Sequence, residues 1–92
     1  MVRPKKGFLL RRQGTAYMVV ALGEAAQQFN GMIRLNETGA RYWKELEQGA
    51  TEDHLVQQTL AWFDGLDEDT ARRDVREFLS GISFALDFTP DL

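Results

Sequence analysis

Few side chains in this sequence could carry out chemistry. The chain has one histidine, His54, and no cysteine. A zinc site needs three or four ligands, so the usual ligand sets cannot form, and thiol catalysis and disulfides are excluded. His54 falls in the first turn of a predicted helix, where a surface position is expected rather than a catalytic one. The absence of cysteine fits a reducing compartment and predicts a cytoplasmic protein.

The acidic residues are typical of helix ends rather than of an active site. Four of them follow predicted helix caps: Glu52, Asp53, Glu68 and Asp69. Carboxylates there complement the positive end of a helix, whereas paired-carboxylate catalysis requires a cleft that nothing in the sequence indicates. No glycine spacing matches a phosphate-binding loop. The sequence therefore predicts no enzyme activity, no metal and no cofactor.

Two arginines, Arg72 and Arg76, stand one helical turn apart. They could bind acidic groups of a partner through charge-assisted hydrogen bonds. Alternatively, they could form a solvated face that pairs with Glu68 and with Ser80 or Glu77 of the same helix. Without further information, the solvated face is favoured.

Composition predicts one domain spanning residues 1–92. Its 43% hydrophobic and 11% aromatic content suffices for a single core at this length. The net charge is −3, and no segment resembles a signal peptide or a membrane span. Five of the eleven cations lie in the first twelve residues, which leaves 6 − 14 = −8 for the rest, a poor match for nucleic acid. The basic arm 1–7 and the tail 85–92 are expected to be the flexible ends.

The first third of the chain predicts three strands. Residues 8–13 and 16–22 are predicted to be the first two strands, because the second segment is rich in Tyr, Val and Met and Gly14-Thr15 between them suits a type II′ hairpin turn. Residues 23–31 are interpreted as a loop. Residues 32–35 form a third, short strand, and its brevity suits the edge of a sheet.

From Asn36 onward the apolar period changes to that of helices. The predicted caps are Asn36, Thr51 and Asp67, and the first two helices are expected to run through Gln48 and Phe63. Apolar stripes are predicted on each of the three helices: Gly39, Tyr42, Trp43 and Leu46; Leu55, Thr59, Trp62 and Phe63; and Ala71, Val75, Phe78 and Ile82. Leu79 lies at the edge of the third stripe beside Arg72, Arg76 and Ser83. The fold class is α+β, a three-stranded antiparallel sheet followed by a three-helix bundle, winged-helix-like.

Several segments resemble the PqqD-like family. The central one is Arg-Leu-Asn-Glu-Thr-Gly-Ala at positions 34–40, preceded by residues 17–24 and 29–33 and followed by Tyr42-Trp43. Residues 47–52 and 74–79 add to the likeness, which covers roughly residues 8 to 82. The segment before the third helix, residues 62–65, and the tail from Phe84 depart from common family patterns.

The resemblance implies a non-catalytic recognition element for ribosomally made, modified peptides. Such domains bind the leader of a precursor peptide and work with a modifying enzyme, often a radical S-adenosylmethionine enzyme. It also implies that the leader adds as an antiparallel strand to the third strand and lies against the third helix. Here the expected peptide contacts are Met32, Ile33, Arg34, Leu35, Arg72, Val75, Arg76, Leu79 and Ser83. The arginines would pair with acidic leader residues, while Val75 and Leu79 would receive apolar anchors.

Other functions remain open. A winged-helix DNA-binding regulator would share the element order, but its recognition helix should present a cationic surface, and the third helix here mixes both signs. A structural tether of a partner enzyme is a further alternative. The free strand edge could also capture a second copy and form a homodimer.

Overall fold

The computed structural model describes residues 1–29 and 31–89. Its elements in chain order are β1 (Val2–Pro4), β2 (Phe8–Gln13), β3 (Ala16–Ala21), α1 (Glu24–Gln28), β4 (Met32–Leu35), α2 (Glu37–Glu47), α3 (Glu52–Trp62), α4 (Glu68–Gly81), a 3₁₀ turn (Ser83–Ala85) and β5 (Leu86–Phe88). The predicted α+β class, with its antiparallel three-stranded sheet and helices, is confirmed.

The three predicted strands form one antiparallel sheet in the order β2-β3-β4. The hairpin turns at Gly14-Thr15 as predicted, and Gly14 has a φ of 63°, which is the positive value that a type II′ turn needs at its first central residue. Val19 pairs with Leu10 on one side and with Ile33 on the other. Cross-strand partners share a face of the sheet, so Leu10, Val19 and Ile33 lie together on the apolar face that packs against the helices.

The three long helices begin where the sequence predicts. The side chains of Asn36, Thr51 and Asp67 accept hydrogen bonds from the backbone N–H groups of Gly39, His54 and Thr70 at 2.7, 3.0 and 2.7 Å. The first two helices end one residue earlier than predicted, since Gln48 and Phe63 are their C-terminal caps. Local capping chemistry therefore sets the helix starts.

A short helix, α1, replaces the predicted loop at residues 23–31. Gly23 precedes it with a φ of 62° and provides no side-chain cap, so the usual sequence signal of a helix start is missing. The helix packs closely on the chain before β2, where a Cβ on Gly7 would lie 2.9 Å from that of Ala25. Tertiary packing, rather than local propensity, stabilises this turn.

A second sheet joins the two ends of the described chain. β1 pairs antiparallel with β5, with Val2 opposite Phe88 and Pro4 opposite Leu86. Val2 also exchanges two backbone hydrogen bonds with Ala50, at 2.6 and 3.0 Å. The structure thus pairs residues of the basic arm and of the tail that were expected to be flexible. The rest of that tail, residues 90–92, lies outside the described residues.

The core lies between the apolar face of the sheet and the three helices. Its largest fully buried side chains are Trp43, Leu46, Leu55, Val19, Val56 and Val75. The predicted stripe of α2 is buried throughout. One prediction of burial is wrong: Phe63 is 41% exposed, because the helix ends at Trp62. Trp62 and Phe78, also predicted on the apolar stripes, are half-buried. Leu79, predicted at the edge of its stripe, is buried instead.

Candidate functional site

The β4 strand lies at an edge of its sheet. It pairs with β3 through Tyr17–Leu35, Met18–Arg34, Val19–Ile33 and Val20–Met32. Within residues 1–29 and 31–89, no strand pairs with its other side. An edge strand presents backbone N–H and C=O groups to which an extended segment can bind. Four residues span about 13 Å, enough for a short added strand.

The side chains of β4 divide between the two faces of the sheet. Leu35 is buried and Ile33 half-buried on the core side. Met32, which is 61% exposed, and Arg34 lie on the opposite face. The buried face fixes the register of β4 against β3, while the exposed side chains leave its outer edge accessible.

Phe78 of α4 approaches the end of β4 through Gly39 of α2. A Cβ on Gly39 would lie 3.3 Å from Phe78 Cε1 and 3.4 Å from Leu35 Cβ. The Phe78 ring also packs on Tyr42, with 5.0 Å between the ring centroids. Gly39 therefore lets the end of β4, the start of α2 and the side of α4 approach each other closely.

Among the α4 residues predicted as peptide contacts, Val75 lies three residues before Phe78 and shares its side of the helix, whereas Arg76 does not. Val75 and Leu79 are buried at 0% and 6% exposure and belong to the core. A residue in an α-helix is turned by about 100° from the one before it, so Phe78 lies about 200° round the helix from Arg76. The structure thus brings Leu35, at the end of β4, close to Phe78, whereas Arg76 lies on the opposite side of α4. Ser83 is exposed in the 3₁₀ turn after α4.

Arg72 and Arg76 face the start of α3, where carboxylates bind them. Arg72 Nη1 lies 2.9 Å from Glu52 Oε2 and 2.8 Å from Asp53 Oδ1, and its Nη2 lies 3.3 Å from Glu68 Oε1. Arg76 Nε donates to Glu52 Oε1 at 3.0 Å.

The charge pattern of this cluster shows in two pKa shifts. The hydrogen bond from Arg76, followed by that from Arg72, holds the pKa of Glu52 below its usual value. The hydrogen bonds to Asp53, Glu52 and Glu68 raise the pKa of Arg72. Both arginines therefore have internal partners, as the solvated-face alternative expected for one of them through Glu68.

Phe78 was not among the peptide contacts predicted from the sequence. Its spacing from Ala71, Val75 and Ile82 matches a core stripe, and periodicity cannot distinguish the centre of a stripe from its exposed border. Only the position of Gly39, which is set by the turn between β4 and α2, places Phe78 beside the strand edge. The sequence feature that could have indicated this close approach is Gly39, in the 34–40 segment.

An aromatic cluster lies near the other end of β4. Phe29, three residues before Met32, stacks on Phe84 at 4.7 Å with an interplanar angle of 7°. Phe8 meets both rings edge-on at 6.3 and 6.2 Å. Phe84 is 41% exposed, so part of this aromatic cluster is accessible at the surface.

The remaining candidate chemistry is sparse in residues 1–29 and 31–89. His54 lies on the surface, 3.6 Å from Glu45 Oε1. No group of three or more His, Cys, Asp and Glu side chains there is arranged to hold a metal ion. No helix in those ranges combines the length and apolar character needed to cross a membrane.

An unpaired edge strand is a surface to which an extended peptide can bind by strand addition. This chain belongs to the PqqD family, whose model, described as Coenzyme PQQ synthesis protein D (PqqD), matches residues 8–82. Its fold resembles that of a solved structure, "TbiB1 in Complex with the TbiA(beta) Leader Peptide", with a TM-score of 0.76. The likeness covers 97% of this chain and 99% of that one at 21% sequence identity. No curated protein matches the sequence.

Proposed function

We propose that this chain binds a precursor leader peptide along the free edge of β4 and presents it to a modifying enzyme. The observation that carries the proposal is the unpaired edge of Met32–Leu35 beside the half-buried ring of Phe78. Backbone hydrogen bonds would hold the peptide, and side-chain contacts on α4 would select it. The leader peptide in the TbiB1 structure supports this occupant.

The other edge of the same sheet is less suited to a peptide. β2 carries the exposed cations Arg11 and Arg12, and charged side chains on an edge strand disfavour pairing with another chain. β4 has one exposed cation, Arg34, and the accessible apolar residue Met32. The proposal therefore assigns the peptide to β4 and not to β2.

The predicted contacts on α4 take different parts in this proposal. Val75 and Leu79 would support the groove from behind, because both side chains are buried. Arg72 and Arg76 would bind acidic peptide residues only if they gave up their salt bridges to Glu52 and its neighbours. Phe78 would be a further contact on α4, near the end of the strand, and Ser83 would lie beyond it.

Catalysis would belong to the partner enzyme. Its assignment as a radical S-adenosylmethionine enzyme rests on the family resemblance, and a cytoplasmic location rests on the absence of cysteine.

Amide hydrogen exchange with the leader of a short precursor encoded beside the gene tests the proposal. Consecutive strand residues direct their N–H groups to opposite sides, so part of β4 should exchange quickly in the free protein. Leader binding should slow those amides at least tenfold and leave the amides of β2 unchanged, which makes β2 the internal control. A scrambled leader should protect neither strand. Tight enzyme binding without protection of β4 by any leader would replace the proposal with a structural tether.

A further inference from the structure

A cavity of about 650 Å³ opens where β4 ends and α2 begins. It lies between the first turns of α2, the turn after α3, and the side of α4 that carries Phe78. Its apolar walls are Tyr42, Phe63, Leu66 and Phe78. The volume accommodates at least one large side chain with part of its backbone.

The cavity is acidic. Asp64, Asp74 and Glu77 line it, and none of its lining residues in the described part of the chain is basic. No salt bridge joins any of these three carboxylates to a described cation. The contrast with the opposite side of α4, where Arg72 lies against three carboxylates, is clear. We call the cavity with its three carboxylates the acidic pocket.

The charge of Asp74 acts on Tyr42 in the cavity wall. Burial is the main cause that raises the pKa of Tyr42, and the nearby charge of Asp74 raises it further. The Tyr42 hydroxyl already has a partner, since it lies 2.8 Å from Thr59 Oγ1. The wall therefore offers ring surface, and the rim offers negative charge that no described cation neutralises.

The position of the pocket relates it to the proposed strand addition. A peptide antiparallel to β4 has its amino-terminal end beside Leu35, and Asn36 and Gly39 of the pocket follow that residue. The residues just before the paired segment of the peptide would therefore enter the acidic pocket.

From these observations we infer that the acidic pocket binds a lysine or arginine side chain of the peptide, placed just before its strand-forming segment. The inference rests on the proposed function. The aliphatic stem packs on Phe63 and Phe78, and the cation lies among the carboxylates and over the aromatic rings. The pocket thus selects a basic residue, the opposite sign from the acidic leader residues expected opposite Arg72 and Arg76.

The test uses a displayed library of random peptides, selected on the full chain and on a variant with Asp64→Asn, Asp74→Asn and Glu77→Gln. Binders of the unmodified chain should share a strand-forming segment preceded by Lys or Arg at a fixed position. Binders of the variant should keep the segment and lose the basic residue. A control variant, Glu24→Gln, Glu47→Gln and Asp87→Asn, changes net charge equally at exposed positions elsewhere and should keep the basic preference.

A synthetic pair then measures the effect of the charge alone. One selected peptide is compared with its counterpart in which norleucine replaces the basic residue and retains an aliphatic stem. The replacement should raise Kd about tenfold on the unmodified chain and on the control variant, and less than twofold on the pocket variant. The ratio of the two changes is at least about fivefold, which corresponds to at least about 1 kcal/mol of coupling. An apolar or acidic preference at that position, or an equal loss on all three proteins, would overturn the inference and leave strand addition standing. Failure to select any peptide would remove the proposed function and the inference with it.

Discussion

Glu52 links two helices through a single carboxylate. Its two oxygens accept from Arg72 at 2.9 Å and from Arg76 at 3.0 Å, and it stands in the first turn of α3, where the helix dipole also favours a negative charge. If a peptide carboxylate took the place of Glu52, the two arginines would lose the carboxylate that joins them to α3. The arginine pair therefore acts first on the packing of α3 against α4.

Glu52→Gln should destabilise the protein and weaken its pH dependence. The pKa of Glu52 is lowered in the folded state by the arginines, so its contribution to stability is present above the unfolded pKa, near 4.5, and is lost as the pH falls through the lower folded value. The variant should lower Tm at pH 7 by about 2–6 °C. Thermal unfolding followed by circular dichroism at pH 7 and pH 3 measures both effects.

Glu47→Gln is the matched control, since Glu47 is exposed on α2 and has no salt bridge to a described residue. It should leave Tm at pH 7 nearly unchanged. Equal losses for both variants would contradict a stabilising role of the Glu52 cluster.

Thr59→Val should cost more stability than Tyr42→Phe. Thr59 Oγ1 donates to the carbonyl of Leu55 at 2.7 Å, which leaves the Tyr42 hydroxyl as the donor to Thr59. Valine would leave that buried hydroxyl without an acceptor, at about 1–3 kcal/mol, whereas phenylalanine removes the donor itself, at about 0.5–1.5 kcal/mol. Urea unfolding of both single variants and the double variant gives the coupling. A larger loss for Tyr42→Phe would show that ring packing on Phe78 depends on the hydroxyl.

At the scale of elements, β1 should contribute to stability although only three residues form it. Val2 is 7% exposed. Its backbone forms hydrogen bonds with that of Ala50, and β1 pairs with β5. Val2→Ala should therefore cost about 1–2 kcal/mol by losing buried methyl groups, measured by urea unfolding. Lys5→Ala, at an exposed position just after β1, should cost much less. No difference between the two would mean that the arm contributes little to the fold.

Elements whose signals are local could be predicted from the sequence. The side chains of Asn36, Thr51 and Asp67 cap helices within three residues of themselves, and the Gly14 turn brings together adjacent strands. The edge position of β4 followed from its length and was confirmed.

Elements that depend on distant partners could not be predicted. β1 and β5 are three residues each and lie at opposite ends of the described chain, so neither has a recognisable strand pattern alone. The same limit applied to the site. Helical periodicity placed Arg72 beside Val75 and Leu79, but only the packing of α3 on α4 determines that Arg72 meets Glu52 while Phe78 meets Gly39.

At the scale of the molecule, the two sides of α4 differ in charge. The carboxylates of α3 neutralise one side of α4, whereas those of the acidic pocket on the other side have no described counter-ion. A net charge of −3 would then favour association with a cationic segment, and added salt would slow that association.

A leader peptide that binds only the folded chain should raise its melting temperature. At a concentration of 100 times Kd, the stabilisation is about 2.7 kcal/mol, which for a chain of 92 residues corresponds to about 11–20 °C. Thermal unfolding with the leader, its scrambled form and a short DNA duplex separates the three functions considered for this fold. A shift with the leader alone fits peptide recognition, and a shift with the duplex alone fits a DNA-binding regulator. No shift with either, together with a shift on adding the partner enzyme, fits a structural tether, because the gain in Tm comes only from ligands that bind the native state.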